Sequence, residues 1–244
     1  MYEIQRGGQA LKRCWAERYC KQFNEERSNC HDLCIGYVQL NNIYTLSRMP
    51  AKYQYDLPLE CDDEDRDAFL FLKDFKDNIE EHVEKGHGVF LSSHGKGNGK
   101  TSWACKIMSE YFRKVALTNN LRCRGLFINV PEFLDILRNN MDDPSEDVAE
   151  LQDEIRSADL VIWDDIGTEI PTKWVRQTLY KFINYRESNG KAQIYTSNIK
   201  ISALSDEDYL GDRIVDRIYG QCEIIEFVGS SRRDASWSNY RRRP

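Results

Sequence analysis

The rhythm of apolar and polar positions changes near residue 88. From there, short continuously apolar runs alternate with stretches of helical spacing. The runs are GVFLSS (88–93), RGLFINV (124–130), DLVIWDD (159–165), AQIYTSN (192–198) and CEIIEFV (222–228). Apolar runs this short, without polar alternation, predict strands buried on both faces. Between the third and fourth, residues 172–188 set Val175, Leu179, Phe182 and Ile183 on one helical face. The alternation predicts an α/β fold, a five-stranded parallel sheet between helices. Upstream, the acidic CDDEDRD opens another helical pattern, with Phe69, Leu72, Phe75 and Ile79 recurring at helical spacing. Before it, TLSRMPAKYQYDLPLE carries Pro50 and Pro58 and reads as an extended connection. Residues 8–44 have a different character, rich in cysteine and aromatic side chains. The expected division is a small N-terminal module with its linker, residues 1–58, and a larger domain, residues 59–244.

Composition narrows the class. The chain has 244 residues and a net charge of −6, so it is no strongly basic nucleic-acid coat. Its basic residues are local, as in Arg232, Arg233, Arg241, Arg242 and Arg243 near the end. No apolar run approaches the ~18 residues of a membrane span. The opening MYEIQRGGQALKRC lacks the apolar stretch of a signal peptide. A cytoplasmic protein without membrane contact is expected.

The candidate chemistry starts at SSHGKGNGKTSW, residues 92–103. A phosphate-binding loop needs Gly, four residues, then Gly-Lys-Thr. Gly99, Lys100 and Thr101 fit, and His94 stands where the first glycine belongs. The stretch follows an apolar strand and opens a helix, whose N-terminus aims N–H groups and a positive dipole end at a phosphate. Gly97 and Gly99 let the backbone approach the oxygens, and Gly95 is expected to take the unusual backbone angles that His94 cannot. Lys100 reaches the β- and γ-phosphates, and Thr101 holds a magnesium ion. A tight strand–helix turn would use the same glycines. The second element decides between them: LVIWDD (160–165) is a buried strand ending in Asp164 and Asp165. Asp164 is placed to hold the magnesium through water, and Asp165 to polarise the attacking water. Asn198, ending YTSN, is placed to hold that water or the γ-phosphate.

In series, GKGNGKTS (95–102), VIWDDIGTE (161–169), YTSN (195–198), DRIVDRI (212–218) and GSSRR (229–233) resemble the AAA+ ATPases that load replicative helicases, of the DnaC and DnaI type, phage versions included. The resemblance covers roughly residues 88–234 and implies an AAA+ P-loop ATPase domain binding ATP and magnesium. It implies that Gly95, Lys96, Gly97, Asn98, Gly99, Lys100, Thr101 and Ser102 cradle the nucleotide, and that Asn198 is the first sensor. Arg213 and Arg217 fall in the segment that supplies an arginine finger to a neighbouring subunit, Arg217 being favoured. Arg233, with Arg232 second, is the arginine that reads the γ-phosphate in the same chain. A guanidinium in either role stabilises charge on the transferred phosphoryl group. Implied partners are a hexameric replicative DNA helicase, single-stranded DNA and further copies of the chain.

Cys14, Cys20, Cys30 and Cys34 are clustered, whereas Cys61, Cys105, Cys123 and Cys222 are scattered. A disulfide framework suits a small secreted protein, so the cluster reads as metal ligands, with zinc expected. His31 is a rival ligand, an iron–sulfur cluster an alternative, and reduced cysteines packed in a small helical bundle another. Loaders of this type carry small N-terminal zinc modules that grip the helicase. The reading that unites these features is an ATPase delivering a ring helicase to single-stranded DNA. The alternatives are a transposition helper ATPase acting on duplex DNA with a transposase, and a non-hydrolysing nucleotide-binding adaptor.

Overall fold

The structure, a computed structural model, describes Cys20 and residues 30–54, 62–93, 95, 97–116, 123–141 and 145–229. Its elements run α1 (Ile35–Leu46), α2 (Arg66–Asp77), α3 (Ile79–Glu84), β1 (Gly88–Ser93), α4 (Lys100–Val115), β2 (Gly125–Asn129), α5 (Val130–Asn139), α6 (Glu146–Ser157), β3 (Leu160–Asp164), α7 (Lys173–Ser188), β4 (Ala192–Ser197), α8 (Ile201–Leu204), α9 (Asp212–Gln221) and β5 (Cys222–Phe227). The expected five strands form one parallel sheet in the order β2-β3-β4-β1-β5.

Side chains alternate between two cores because successive strand residues point to opposite faces. Val89 and Leu91 of β1, Leu160 and Ile162 of β3, and Ile194 of β4 face a core closed by α2, α3 and α4. Phe90, Val161, Trp163 and Tyr195 face the other, closed by α5, α6, α7 and α9. Burial on both faces is why β3 reads as an apolar run, whereas β5, at the sheet edge, keeps Glu223 and Glu226 exposed, contrary to the expectation for CEIIEFV.

Three local expectations shift. RGLFINV does not stay extended through Val130. The Asn129 side chain accepts the Glu132 N–H at 3.2 Å and Pro131 sits in the first turn, so a capped helix begins at once. The helix expected from CDDEDRD through Ile79 breaks at Asn78, leaving α2 and α3 as separate pieces. The connection TLSRMPAKYQYDLPLE is not free in its first half. Ser47 and Met49 are buried, the Ser47 carbonyl accepts the Phe127 N–H at 2.8 Å, and Ala51–Tyr53 form a 3-10 turn.

Helix α1 lies within the range expected for the N-terminal module, yet it packs on the large domain. Leu40, Ile43 and Tyr44 join the core that contains Leu72 and Phe112, with the Tyr44 and Phe112 rings edge to face at 5.3 Å. Apolar burial thus carries the domain's core back at least to residue 40.

On the opposite side, the Arg186 guanidinium is fully buried. It donates to the carbonyls of Ile155 at 2.7 Å, Ala158 at 2.9 Å, Asp159 at 3.4 Å and Ala192 at 2.7 Å. The first two belong to the C-terminal end of α6, where carbonyls lack helical partners and the dipole favours a cation. One side chain therefore joins the end of α6 to the starts of β3 and β4.

Candidate nucleotide site

Strand β1 ends at Ser93, and the chain turns through Gly95, Gly97, Asn98 and Gly99 into α4. Gly97 has φ 91° and Gly99 φ 88°, left-handed angles that a side chain resists. Gly95 does not share them, contrary to the expectation from His94. Instead its carbonyl accepts from Ser93 Oγ at 2.6 Å and from Lys100 Nζ at 3.2 Å. His94 and Lys96 lie outside the described residues. Ser102 is half-buried in the first turn of α4.

Lys100, 7% exposed, points its ammonium at Ser93 Oγ, at the Gly95 carbonyl and, at 3.1 Å, at Asn198 Oδ1. Thr101 Oγ1 donates to Asp164 Oδ1 at 2.8 Å. The same carboxylate oxygen accepts from Thr196 Oγ1 at 2.7 Å. Asn198 Nδ2 donates to Asp165 Oδ1 at 2.6 Å, and the Asp165 N–H donates to Thr196 Oγ1 at 3.0 Å. The candidate residues Lys100, Thr101, Asp164, Asp165 and Asn198 are thus one hydrogen-bonded cluster at the C-terminal edge of the sheet. Parallel sheets bind ligands at that edge.

The strand order explains the connection. Strand β4 lies between β1, which leads to the phosphate loop, and β3, which ends in the aspartates. Asn198 follows β4 and touches both sides. Asp165 adopts φ 61°, rare for a residue with a side chain, as the chain turns sharply after β3.

Burial raises the Asp164 pKa, and the Asp165 charge adds to the rise. Hydrogen bonds from Thr196 and Thr101, and the Lys100 charge, oppose it. A hydroxyl and a carboxylate on adjoining elements are hard oxygen donors, the set magnesium prefers. Glu169, in the turn after Asp165, is pushed up to about 7, chiefly by burial. Its Oε2 accepts the Gly167 N–H at 3.0 Å. A cleft of about 350 Å³ adjoins Asp164 on the β2 side, with Lys52, Tyr53, Asn129 and Glu132 in its walls.

Ser93, Thr196 and Glu169 were not among the sequence candidates. Thr196 had a signal, since it stands two residues before Asn198 in the quoted YTSN, at the end of the strand that leads to it. Ser93 and Glu169 had none beyond lying within the quoted stretches 92–103 and 161–169.

Arg213 and Arg217 contact other groups. Arg213 is exposed on α9, its guanidinium 4.7 Å from the centre of the Tyr180 ring. Arg217 is half-buried and pairs with Glu187 at 3.8 Å. Arg232 and Arg233 lie outside the described residues, as does Cys14. Cys20, Cys30 and Cys34 are free and half-buried. Among the described residues no three His, Cys, Asp or Glu side chains gather where a metal ion could sit, so the expected zinc site is not formed by them.

No family model matches the sequence. The replicative helicase loader DnaI of Bacillus subtilis is 25% identical over 186 residues, which are 71% of this chain and 57% of that protein. The chain thus spans little more than half the length of this relative. Among solved structures, the DnaC helicase loader superposes with a TM-score of 0.61 at 22% identity, over 73% of this chain and 99% of that one. DnaI superposes at 0.58 with 24% identity, over 76% and 95%. The replication initiator DnaA bound to AMPPCP and single-stranded DNA superposes at 0.57 with 17% identity, over 75% and 52%. In sequence the chain resembles the helicase loader DnaI, and in fold it resembles DnaC, DnaI and DnaA.

Proposed function

We propose that the chain binds and hydrolyses ATP and uses the cycle to deliver a ring-shaped, hexameric replicative helicase onto single-stranded DNA in the cytoplasm. The observation that carries this reading is the single cluster of Lys100, Thr101, Asp164, Asp165 and Asn198 on a loader-like fold.

The chemistry follows from that arrangement. The phosphate loop and the N-terminus of α4 bind the triphosphate, and Lys100 turns its charge to the β- and γ-phosphates. Thr101 and Asp164 would hold magnesium, which would supply charge neutralisation of the phosphates. Asp165 orients and polarises the attacking water, and Asn198, bonded to both Lys100 and Asp165, would hold that water or the γ-phosphate. Arg233 and Arg232 read the γ-phosphate within the chain. A finger from α9 acts on a neighbouring subunit's nucleotide. Arg213, the more exposed of the pair, is better placed for it than Arg217, which Glu187 holds. Residues 1–58 contact the helicase, with zinc on Cys14, Cys20, Cys30 and Cys34 organising the start of that region. Affinity for single-stranded DNA falls with salt, as phosphate contacts require.

The decisive experiment is co-purification with a hexameric replicative helicase, with and without ATP, alongside hydrolysis assays. A complex lost on deleting residues 1–34, with Lys100→Ala unable to bind ATP and Asp165→Asn binding without turnover, is expected. Wild-type hydrolysis in either variant refutes the site. Hydrolysis without a helicase complex, together with duplex-DNA binding, favours the transposition helper. Helicase binding that survives removal of all metal refutes the zinc assignment.

A further inference from the structure

The phosphate loop carries one side chain that phosphate chemistry does not require. Asn98, immediately before Gly99 and Lys100, is 4% exposed. Its Nδ2 donates to the carbonyl of Gly229, 131 residues away, just beyond β5. Gly229 is held from its other side. Its N–H donates to Asp65 Oδ2 at 3.2 Å, and the Val228 N–H donates to Asp65 Oδ1 at 2.7 Å. Asp65 is itself buried at the start of α2. A Cβ on residue 229 would stand 2.5 Å from Asp62 Oδ2 and 2.7 Å from Asp65 Oδ2, so only glycine fits between them.

We propose that Asn98 is a positioning residue for nucleotide binding, tying the phosphate loop through Gly229 to the Asp65 clamp. The inference rests on the ATPase reading above. Phosphates are gripped by backbone N–H groups whose directions depend on loop shape. A loop rich in glycine has little shape of its own, because glycine restricts its backbone least. The buried amide supplies that restriction at the residue beside Gly99. It also couples the loop to the strand end that leads, in sequence, toward Arg232 and Arg233.

The test measures KM, kcat and binding of a fluorescent ATP analogue for Asn98→Ala, Gly229→Ala, their double variant and Lys100→Ala, with melting curves for each. Asn98→Ala is expected to raise KM and the dissociation constant ~3–10-fold, the scale of one lost hydrogen bond. The kcat should stay within about twofold, because Lys100, Asp164, Asp165 and Asn198 keep their partners. Gly229→Ala should do the same by pushing its carbonyl away from Asn98. The double variant should be no weaker than the weaker single variant beyond about twofold, since both break the Asn98–Gly229 contact and Asn98→Ala adds only the loss of the long 3.4 Å bond from Ser93 Oγ. Unchanged affinity in Asn98→Ala, a fall in kcat matching the rise in KM, or multiplicative effects in the double variant would overturn the proposal. If Asn98→Ala does not fold, Gly229→Ala alone decides, by the same split between KM and kcat. Lys100→Ala that still binds ATP would instead remove the ATPase reading itself.

Discussion

Replacing Arg186 by methionine keeps much of the side-chain volume and removes every donor. Four carbonyls then lose their partner, three of them at 2.9 Å or less. Each bond from a charged donor contributes ~1.5–3 kcal/mol. Against the gross sum stands the cost of burying the cation, several kcal/mol. Burial pulls the guanidinium pKa down to about 9, so the group is still charged at neutral pH. The buried Nε has no partner, but removing the two terminal nitrogens leaves four carbonyls unsatisfied, each at ~1–3 kcal/mol. We therefore expect Arg186→Met to lose ~3–5 kcal/mol, a large share of the ~5–15 kcal/mol that holds an ordinary domain together. Urea unfolding followed by far-UV circular dichroism measures it, with midpoints compared at equal slope. Arg186→Lys, with a compact ammonium, should lose less. A loss below ~1 kcal/mol in Arg186→Met would refute the reasoning, showing that water or backbone shifts replace the guanidinium at no cost.

Asp164→Asn should abolish hydrolysis and yet raise the melting temperature in magnesium-free buffer by ~2–4 °C, because a buried carboxylate beside Asp165 is relieved of its charge. A lower melting temperature would show that the carboxylate's hydrogen bonds outweigh its burial. Glu169 sets a pH dependence. Its folded pKa of about 7 exceeds the ordinary value of 4.5, so the folded state binds the proton more tightly. Stability is therefore lost as pH rises from about 4.5 to about 7 and stays lost above. Glu169→Gln should match the wild type near pH 4 and gain ~1–3 kcal/mol at pH 8, and a gain independent of pH would exclude the cause.

Much of the site was legible because its parts are local. A phosphate loop is a run of neighbours, and an aspartate pair needs only a buried strand to carry it to the sheet edge. Gly99, Lys100, Thr101, Asp164, Asp165 and Asn198 are candidates of this local kind, and the structure brings all but Gly99 into one hydrogen-bonded cluster. Gly99 acts through its backbone. Gly95 was misjudged because sequence spacing does not say which glycine turns left-handed. That depends on the hydrogen bonds its carbonyl accepts from Ser93 and Lys100.

The chain's own pattern determined the parallel α/β architecture, since strands buried on both faces must be apolar throughout and helices must cover them. It also singled out the candidate residues for phosphate chemistry, since that chemistry needs glycine, lysine, a hydroxyl and carboxylates at set spacings. Tertiary structure alone decided the strand order. With β4 between β1 and β3, Asn198 can bond Lys100 on one side and Asp165 on the other. It alone decided that α1 and residues 47–53 close the domain's core, because the face Leu40 and Tyr44 seek is assembled from residues far along the chain. The same holds for Asn98, Gly229 and Asp65. Their contact spans most of the sequence, and no local spacing encodes which distant carbonyl a buried amide will meet.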